Sequence, residues 1–333
     1  MQCSVWGRGP MLSRRDVVLA ATILPTWARA VALREVRVGV LPFGTVMWEM
    51  EAIRRAGLDV VNGLTLKAIP LATNEAARIA FQAGQVDTIV TDLLLAARLR
   101  NEGRKVKFIP FSATEGGVMV PAGSSIQNVA DLVGKQIGVA GGPLDKSWLL
   151  LKADVQTKTG IDLSTGAAPA YGAPPLLMNK LEVGELDAAL LFWNFCARLE
   201  AKGYRRLVGA GDIARSFGVE GEIALLGYVF LEETDPAILD AFSKASQGAK
   251  QLLSEHEDTW IPIRPLMSAE DETTFQALKR YFIEGIPRRS IPDERADAER
   301  LFSVLAQIGG DKLVGTGRSL PDGLYWNDDR EPM

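Results

Sequence analysis

The chain has 333 residues, of which 47% are hydrophobic and 23% charged, with 32 glycines and 17 prolines. These values are ordinary for a globular protein, so they exclude a collagen, a low-complexity disordered chain and a disulfide scaffold. The formal net charge of −4 argues against a basic nucleic-acid-binding surface. Since His256 is the only histidine, a His-rich metal site is excluded, as are the usual His-dependent hydrolases unless His256 is the base. We therefore expect no metal, no cofactor and no nucleic-acid partner.

The N-terminal residues 1–30 have the three parts of an export signal. A basic pair, Arg14 and Arg15, precedes a short apolar run over 17–24, and an A-x-A cleavage pattern ends at Ala30. This order is typical of a secretory signal peptide, and the apolar run is too short to span a bilayer. The arginine pair resembles the twin-arginine signature, while a general secretory signal would give the same destination. We expect cleavage near Ala30 and a periplasmic location.

After the signal, short apolar runs alternate with longer periodic ones. The predicted strands cover 36–40, 64–69, 88–90 and 106–111, and the predicted helices cover 47–56, 73–83 and 92–101. Alternation of this kind predicts a mainly parallel α/β sheet with helices on both faces.

The same order of elements returns about 100 residues later. The predicted strands now cover 137–139, 167–170 and 188–192, and the helices cover 146–158, 173–183 and 194–202. Five identities share this offset: Gly84, Asp87, Arg98, Leu99 and Gly103 correspond to Gly184, Asp187, Arg198, Leu199 and Gly203. The repeat predicts two α/β lobes of like topology. Within it, we expect Asp87 and Asp187 to cap or turn the chain locally.

The pattern changes after Gly221. A strand-like apolar run covers 223–231, and three helical segments follow, beginning near Asp235, near a capping-box pattern of Ser268 with Asp271, and at Pro292. The tail from residue 313 to the end contains several glycines and prolines and is predicted to be loop.

Four ordered stretches carry a family resemblance. They are Ala80–Asp87 (AFQAGQVD), Gly117–Ile126 followed by Asp131–Val139 (DLVGKQIGV), Leu181–Ala189 (LEVGELDAA) and Leu320–Trp326 (LPDGLYW). In this order they resemble the periplasmic substrate-binding proteins of ABC importers, of the type that binds nitrate, sulfonates, taurine or thiamine precursors.

The resemblance implies a two-lobed type II binding-protein fold with crossings near 117–122 and 221–231. Residues 31–120 would form the first part of lobe 1, residues 121–222 lobe 2, and residues 223–333 the return crossing and the helices and tail that pack on lobe 1. It also implies a monomer, not an enzyme, that captures a small solute by hinge closure. The solute would then pass to an ABC permease and ATPase complex at the inner membrane.

Two alternatives stay open on the same fold. One is an exported sensor or accessory protein that works without a transporter. The other is a thiamine-pyrimidine biosynthesis enzyme, whose iron site needs histidine and several cysteines. The mature chain would keep only His256 and Cys196, too few soft ligands for that site.

The candidate ligand contacts follow the predicted strands, where helix N-termini meet the carboxyl ends of the sheets. They are Phe43, Gly44, Thr73, Asn74, Thr91, Asp92, Gly141, Gly142, Trp193 and Asn194. We expect Trp193 and Asn194 to face Thr91 and Asp92 from opposite lobes. Backbone N–H groups at helix starts suit an anion. Asp92 would repel one, so it either caps its own helix or binds a cationic or hydroxylated ligand.

Structural roles remain open for several of these positions. Thr73, Asn74 and Thr91 are also suited to be plain helix N-caps. Phe43 and Trp193 are also suited to the hydrophobic core.

Other conspicuous residues are expected to be structural. Trp48 and Trp148 lie on helix faces where burial is favoured over stacking on a flat ligand. Cys196, inside a helix, is expected to be a small core residue.

Overall fold

A computed structural model describes residues 33–42 and 44–327. The predicted export signal lies outside these residues, as does the candidate contact Phe43. The described chain contains two five-stranded sheets flanked by helices, which confirms the predicted two-lobed α/β fold. Within the described residues, no helix combines the length and the apolar composition needed to cross a membrane.

The strands, in chain order, are β1 (Arg34–Val40), β2 (Leu64–Pro70), β3 (Thr88–Asp92), β4 (Val106–Ser112), β5 (Gly117–Val120), β6 (Gln136–Ala140), β7 (Ala168–Gly172), β8 (Ala188–Leu191), β9 (Arg205–Gly209) and β10 (Leu226–Leu231). The helices are α1 (Val46–Ala56), α2 (Leu58–Val61), α3 (Asn74–Gln82), α4 (Leu93–Asn101), α5 (Lys146–Thr159), α6 (Leu163–Gly166), α7 (Pro174–Glu182), α8 (Trp193–Ala201), α9 (Ala210–Ser216), α10 (Pro236–Glu255), α11 (Arg264–Met267), α12 (Glu272–Glu284), α13 (Ile291–Gly309) and α14 (Asp311–Val314).

The two sheets have the same topology. Their strand orders are β2-β1-β3-β10-β4 and β7-β6-β8-β5-β9. In each sheet three neighbouring strands are parallel, and the fourth position holds an antiparallel strand that enters from the other lobe, β10 in the first sheet and β5 in the second. The chain therefore passes between lobes twice, through residues 113–116 and 217–225. Because β5 pairs with β8 and β9, the first crossing ends before Gly117, earlier than the boundary at 120 suggested by the sequence.

Equivalent aspartates perform the same task in both lobes. A side-chain oxygen of Asp87 accepts the backbone N–H of Arg37 at 2.7 Å, and the Asp87 N–H donates to the Arg37 carbonyl at 2.8 Å. Asp187 makes the same pair of contacts with Gln136, at 2.8 and 2.9 Å. Each carboxylate thus ties the start of a buried strand to the neighbouring strand, a local structural role.

Lobe 1 is built on an aromatic core between its sheet and the helices α1, α10 and α12. Trp48, Trp260 and Phe282 contact one another in this core, with ring centres 5.5 to 6.4 Å apart. Trp148 is fully buried in a second core that extends into lobe 2. Both tryptophans predicted to be buried on helix faces are therefore core residues.

The α12 helix begins differently from the sequence prediction. Its N-cap is Asp271, whose carboxylate accepts the Thr274 N–H at 2.7 Å. Ser268 ends α11 instead, in a left-handed conformation with φ of 49°. The expected Ser268 capping box is wrong because the aspartate of the pair is itself a strong N-cap residue.

A buried charged pair lies inside the lobe 1 core. The Lys250 ammonium is 2.9 Å from a side-chain oxygen of Glu49, and the Tyr228 hydroxyl donates to the other oxygen at 3.0 Å. Lys250 also donates to the Ser246 hydroxyl at 2.7 Å and lies 5.1 Å from the centre of the Phe111 ring. Burial, together with the Glu49 carboxylate, raises the pKa of Tyr228 well above its ordinary value.

The return crossing is held by residues of α13 and the loop before it. The Asp297 carboxylate accepts the backbone N–H groups of Glu220 at 2.9 Å and Gly221 at 3.0 Å. Arg289 donates to Asp297 at 2.7 Å and to the Glu222 carbonyl at 2.9 Å. Burial acts to raise the pKa of Asp297, but these hydrogen bonds outweigh it and lower the pKa to about 2. The crossing is therefore fixed to a C-terminal helix by charge-assisted hydrogen bonds.

Candidate ligand-binding site

The carboxyl ends of parallel strands in each sheet lead into helix N-termini capped by aspartate. Asp92 is the last residue of β3, and its carboxylate accepts the Leu95 N–H at 2.9 Å. Asp145 follows β6 and accepts the N–H groups of Ser147 at 2.9 Å and Trp148 at 3.1 Å. Of the two readings of Asp92 left open by the sequence, the structure shows the helix cap. Each carboxylate satisfies donors that an anionic ligand would otherwise use.

A charge cluster joins the two lobes at this edge. We define it as Asp92 of lobe 1, Glu115 of the first crossing, and Asp145 and Lys146 at the start of α5 in lobe 2. The Lys146 ammonium is 3.4 Å from a Glu115 carboxylate oxygen, and the two side chains are only 16% and 12% exposed. Lys146 is also within electrostatic range of Asp145 and Asp92. An ammonium from lobe 2 therefore interacts with carboxylates of both lobes and of the crossing.

The charge cluster contains more carboxyl groups than positive partners. Burial disfavours the charge of Lys146, but Glu115, Asp145 and Asp92 outweigh it and raise the pKa of Lys146 above its ordinary value. Burial raises the pKa of Glu115, and Lys146 offsets only part of that effect. Burial raises the pKa of Asp145 in the same way. One Glu115 oxygen, Oε1, is buried and accepts no hydrogen bond from the described residues.

The glycine pair after β6 makes room for the Asp145 cap. Gly141 and Gly142 both have left-handed backbones, with φ of 85° and 89°. A Cβ at position 141 would lie 2.6 Å from a carboxylate oxygen of Asp145. A side chain at this position would therefore displace the cap, whereas the space beside Gly142 is open.

The remaining candidates in lobe 1 lie on loops at the ends of strands. Thr73 is the N-cap of α3, and its hydroxyl accepts the Ala76 N–H at 3.0 Å. Thr73 and Asn74 are exposed, while Thr91 is partly buried at the end of β3. The Gly44 N–H donates to the Leu41 carbonyl at 2.9 Å in a turn before α1.

Trp193 is a packing residue in this structure. It is 6% exposed, its ring stacks on Tyr281 of α12 at 6.2 Å, and it meets Trp48 edge to face at 5.9 Å. Of the two roles left open for Trp193, the structure shows core packing, because the lobe 1 aromatic core provides a large apolar surface for the ring, and contact with ligand stays a prediction. Partly buried Asn194 is the next residue of the same helix. The lobe 2 residues whose charges interact with that of Asp92 are Asp145 and Lys146.

Further interlobe contacts surround the Trp193 ring. Glu200 of α8 accepts a hydrogen bond from the Tyr281 hydroxyl, and it pairs with Arg280 and Arg206 at 3.0 Å each. The Arg206 guanidinium lies over the Tyr281 ring, 4.5 Å from its centre. The contact between α8 and α12 is thus apolar at Trp193 and charged at its margin.

The sequence interpretation missed Glu115, Asp145 and Lys146. One signal was available for Asp145, since an aspartate three positions before the buried Trp148 has the spacing of an N-cap. Glu115 had no comparable signal, because it lies in a short crossing with no periodic pattern.

The Cys196 thiol lies in the hydrophobic core. Cys196 is buried, and its burial raises the pKa of its thiol to about 12, so the reactive thiolate is suppressed. Within residues 33–42 and 44–327, no group of three or more His, Cys, Asp or Glu side chains could hold a metal ion.

The fold matches solved binding proteins over most of their length. No protein-family model and no curated protein matches the sequence. The periplasmic aliphatic sulphonate binding protein SsuA of Escherichia coli has a TM-score of 0.67 at 16% identity, covering 89% of this chain and 98% of that one. The alkanesulfonate-binding protein SsuA of Xanthomonas axonopodis pv. citri, bound to MOPS, has a TM-score of 0.63 at 16% identity, covering 88% and 98%.

An enzyme shares the same architecture. The desulfurization enzyme DSZB has a TM-score of 0.55 at 16% identity, covering 87% of this chain and 97% of that one. At these identities the similarity establishes the fold: the chain has the two-lobed architecture of periplasmic binding proteins. The function must therefore be inferred from the residues of the site.

Proposed function

We propose that this chain is the periplasmic solute-binding component of an ABC importer. The observation that carries the proposal is the charge cluster, in which Lys146 of lobe 2 meets Glu115 of the first crossing and is attracted by Asp92 of lobe 1. A solute bound at this edge would contact both lobes and the crossing between them. Such contacts are made together only when the lobes are closed, so solute binding favours the closed state.

The same proposal assigns the partners and the location. After removal of a signal peptide near Ala30, the monomeric protein would capture its solute in the periplasm and deliver it to an ABC permease and ATPase complex. Gly44, Thr73, Asn74 and Asn194 remain proposed ligand contacts, and Phe43, which lies outside the described residues, remains a prediction from the sequence. The two SsuA proteins bind alkanesulfonates and aliphatic sulphonates, which supports a small organic solute.

The test is direct detection of a bound solute. Native mass spectrometry of protein purified from the periplasm should show a non-covalent adduct that denaturation removes. The solute should bind with a Kd between roughly 1 nM and 1 µM, equivalent to about −12 to −8 kcal/mol, and should raise the melting temperature. Reconstitution with the permease distinguishes an importer from a sensor, since only an importer component supports uptake.

An enzymatic role is the second candidate, because DSZB shares the fold. The buried thiol of Cys196 and the exposed position of His256, at the end of α10, disfavour it. Steady conversion of the co-purified solute by the purified protein would contradict the binding-protein proposal.

A further inference from the structure

Helix α8 of lobe 2 packs along most of its length on the C-terminal helix α12. Trp193 at the start of α8 stacks on the Tyr281 ring at 6.2 Å, and Glu200 near its end accepts a hydrogen bond from the Tyr281 hydroxyl. The two α8 residues are seven positions apart, about 10 Å along the helix axis. The first crossing meets lobe 2 only at the start of α8, where the Gly116 backbone packs against Phe192. The contact between α8 and α12 therefore extends well beyond the crossing.

The other side of α12 is fixed to lobe 1. Phe282 lies in the lobe 1 aromatic core, with its ring centre 5.8 Å from that of Trp48. The Tyr281 carbonyl accepts a hydrogen bond from the Thr114 hydroxyl of the first crossing at 2.8 Å. Because α12 is bound to lobe 1 and to the crossing, its contact with α8 joins the two lobes directly.

An arginine of α8 also reaches lobe 1. The Arg198 guanidinium donates to the Met267 carbonyl at 2.7 Å and to the Ser268 carbonyl at 2.9 Å, where α11 ends. The last carbonyls of a helix lack partners within the helix and attract a cation. In the repeat, the counterpart Arg98 lies 3.9 Å from Glu102 on its own helix in lobe 1. The repeat by itself therefore does not account for the contact that Arg198 makes between the lobes.

Separation of the lobes would break charged and apolar contacts together. Among the described residues, the Glu200 carboxylate contacts Arg206 of lobe 2 and Arg280 and Tyr281 of α12. Opening would remove the last two of these three partners. It would also expose the Trp193 ring, which is 6% exposed in the structure. Both losses favour the arrangement in which α8 and α12 are in contact.

We propose that this contact is an interlobe clasp, which holds the lobes at the separation seen in the structure and has to break before the cleft opens. The interlobe clasp is defined by Trp193, Arg198 and Glu200 of α8 with Met267, Arg280 and Tyr281. It acts in the chain without solute, so it goes beyond the proposed solute-binding function. For a solute that binds between the lobes, the interlobe clasp would raise the fraction of molecules competent to bind and so lower the apparent Kd.

The distance between two spin labels, measured by pulsed electron paramagnetic resonance, tests the interlobe clasp. Strands β2 and β7 are the edge strands of the two sheets that lie farthest from the strands joined by the crossings. Thr65→Cys in β2 and Asn179→Cys in α7, the helix after β7, place labels at exposed positions of each lobe. Cys196 is buried and its thiol is unreactive, so it should take no label. The mature protein is unfolded, dialysed and refolded first, which removes any co-purified solute.

The labelled protein should show one predominant distance. Arg198→Gln combined with Arg280→Gln should add a longer distance and raise the ratio of long to short at least about tenfold, because hydrogen bonds to charged groups are lost. Lys244→Gln combined with Lys312→Gln is the matched control, since it removes two charges at exposed positions of other helices. If the first pair lowers the melting temperature, Arg280→Gln alone is the second variant. Its side chain is 53% exposed, and the ratio should rise about two- to fivefold.

Two results would overturn the interlobe clasp. One is a distance distribution in the folded α8 and α12 variants that matches the control, and the other is a predominant long distance already present without these substitutions. Neither result depends on a solute, so both would leave the proposed binding function standing. Failure to find a bound solute by native mass spectrometry would count against the binding function and leave the interlobe clasp standing.

Discussion

Removing one partner of the buried pair between Glu49 and Lys250 should be among the most destabilising single changes in lobe 1. Both side chains are almost completely buried, and the ammonium is the only cation within 4 Å of the Glu49 carboxylate among the described residues. Lys250→Met would leave that carboxylate buried with only the Tyr228 hydroxyl as a donor. Breaking a buried pair in this way costs about 3–5 kcal/mol. For a chain of this size each kcal/mol lowers the melting temperature by about 1.5 °C, so a drop of about 5–8 °C is expected.

Thermal and urea denaturation of matched variants measure this effect. Lys244→Met is the control, because Lys244 lies on the same helix, α10, and is exposed. It should change stability by less than about 0.5 kcal/mol. The double variant Glu49→Leu with Lys250→Met should recover most of the loss, because a buried pair replaced by apolar side chains is often nearly neutral. If Lys250→Met cost no more than Lys244→Met, the reasoning about an uncompensated buried charge would be refuted.

Three further predictions concern packing, pH and export. Trp193→Ala should lower the free energy of unfolding by about 3–5 kcal/mol, measured by urea denaturation, because it leaves a cavity in the core. Unchanged stability together with lost solute affinity would instead indicate that Trp193 contacts the solute. Burial raises the pKa of Glu294 to about 7, above the unfolded value near 4.5. The folded protein then holds a proton that the unfolded chain has lost, so stability should fall by up to about 3 kcal/mol as pH rises from 4.5 to 7. Glu294→Gln should remove that loss, and an identical pH profile in the variant would contradict the assignment. The double substitution Arg14→Lys with Arg15→Lys should block export through the twin-arginine route. An undiminished amount of periplasmic protein on immunoblots would indicate the general secretory route.

The internal repeat allowed the two-lobed fold to be predicted from the sequence. Asp87 and Asp187 lie at equivalent places in the two sheets because a carboxylate before a buried strand can bind the neighbouring backbone in only a few ways. The short strand β9 was not predicted, since Arg205 and Arg206 interrupt any apolar alternation. Its pairing with β5 depends on the tertiary structure.

The candidate site was predicted less well than the fold. Candidates chosen after predicted strands, including Asp92 and Gly141, do lie at the carboxyl ends of strands, and their contact with ligand stays a prediction. Sequence could not decide whether Trp193 faces solute or core, because helix periodicity gives the same answer for both. The role of Glu115 could not be predicted from the sequence, because its contact with Lys146 joins residues 31 positions apart in different elements.

The insertion of β10 between β3 and β4 has a consequence for the order in which the lobes form. All strands of the second sheet lie within residues 117–209, so that sheet can assemble as a contiguous stretch of nascent chain. In the first sheet, β3 and β4 are synthesised early. The strand between them, β10, is available only after residues 226–231 have been synthesised. Contacts over such long sequence separations form slowly, and until then β3 and β4 present open edges to other chains. Chaperone dependence and aggregation of incomplete chains should therefore be concentrated in lobe 1.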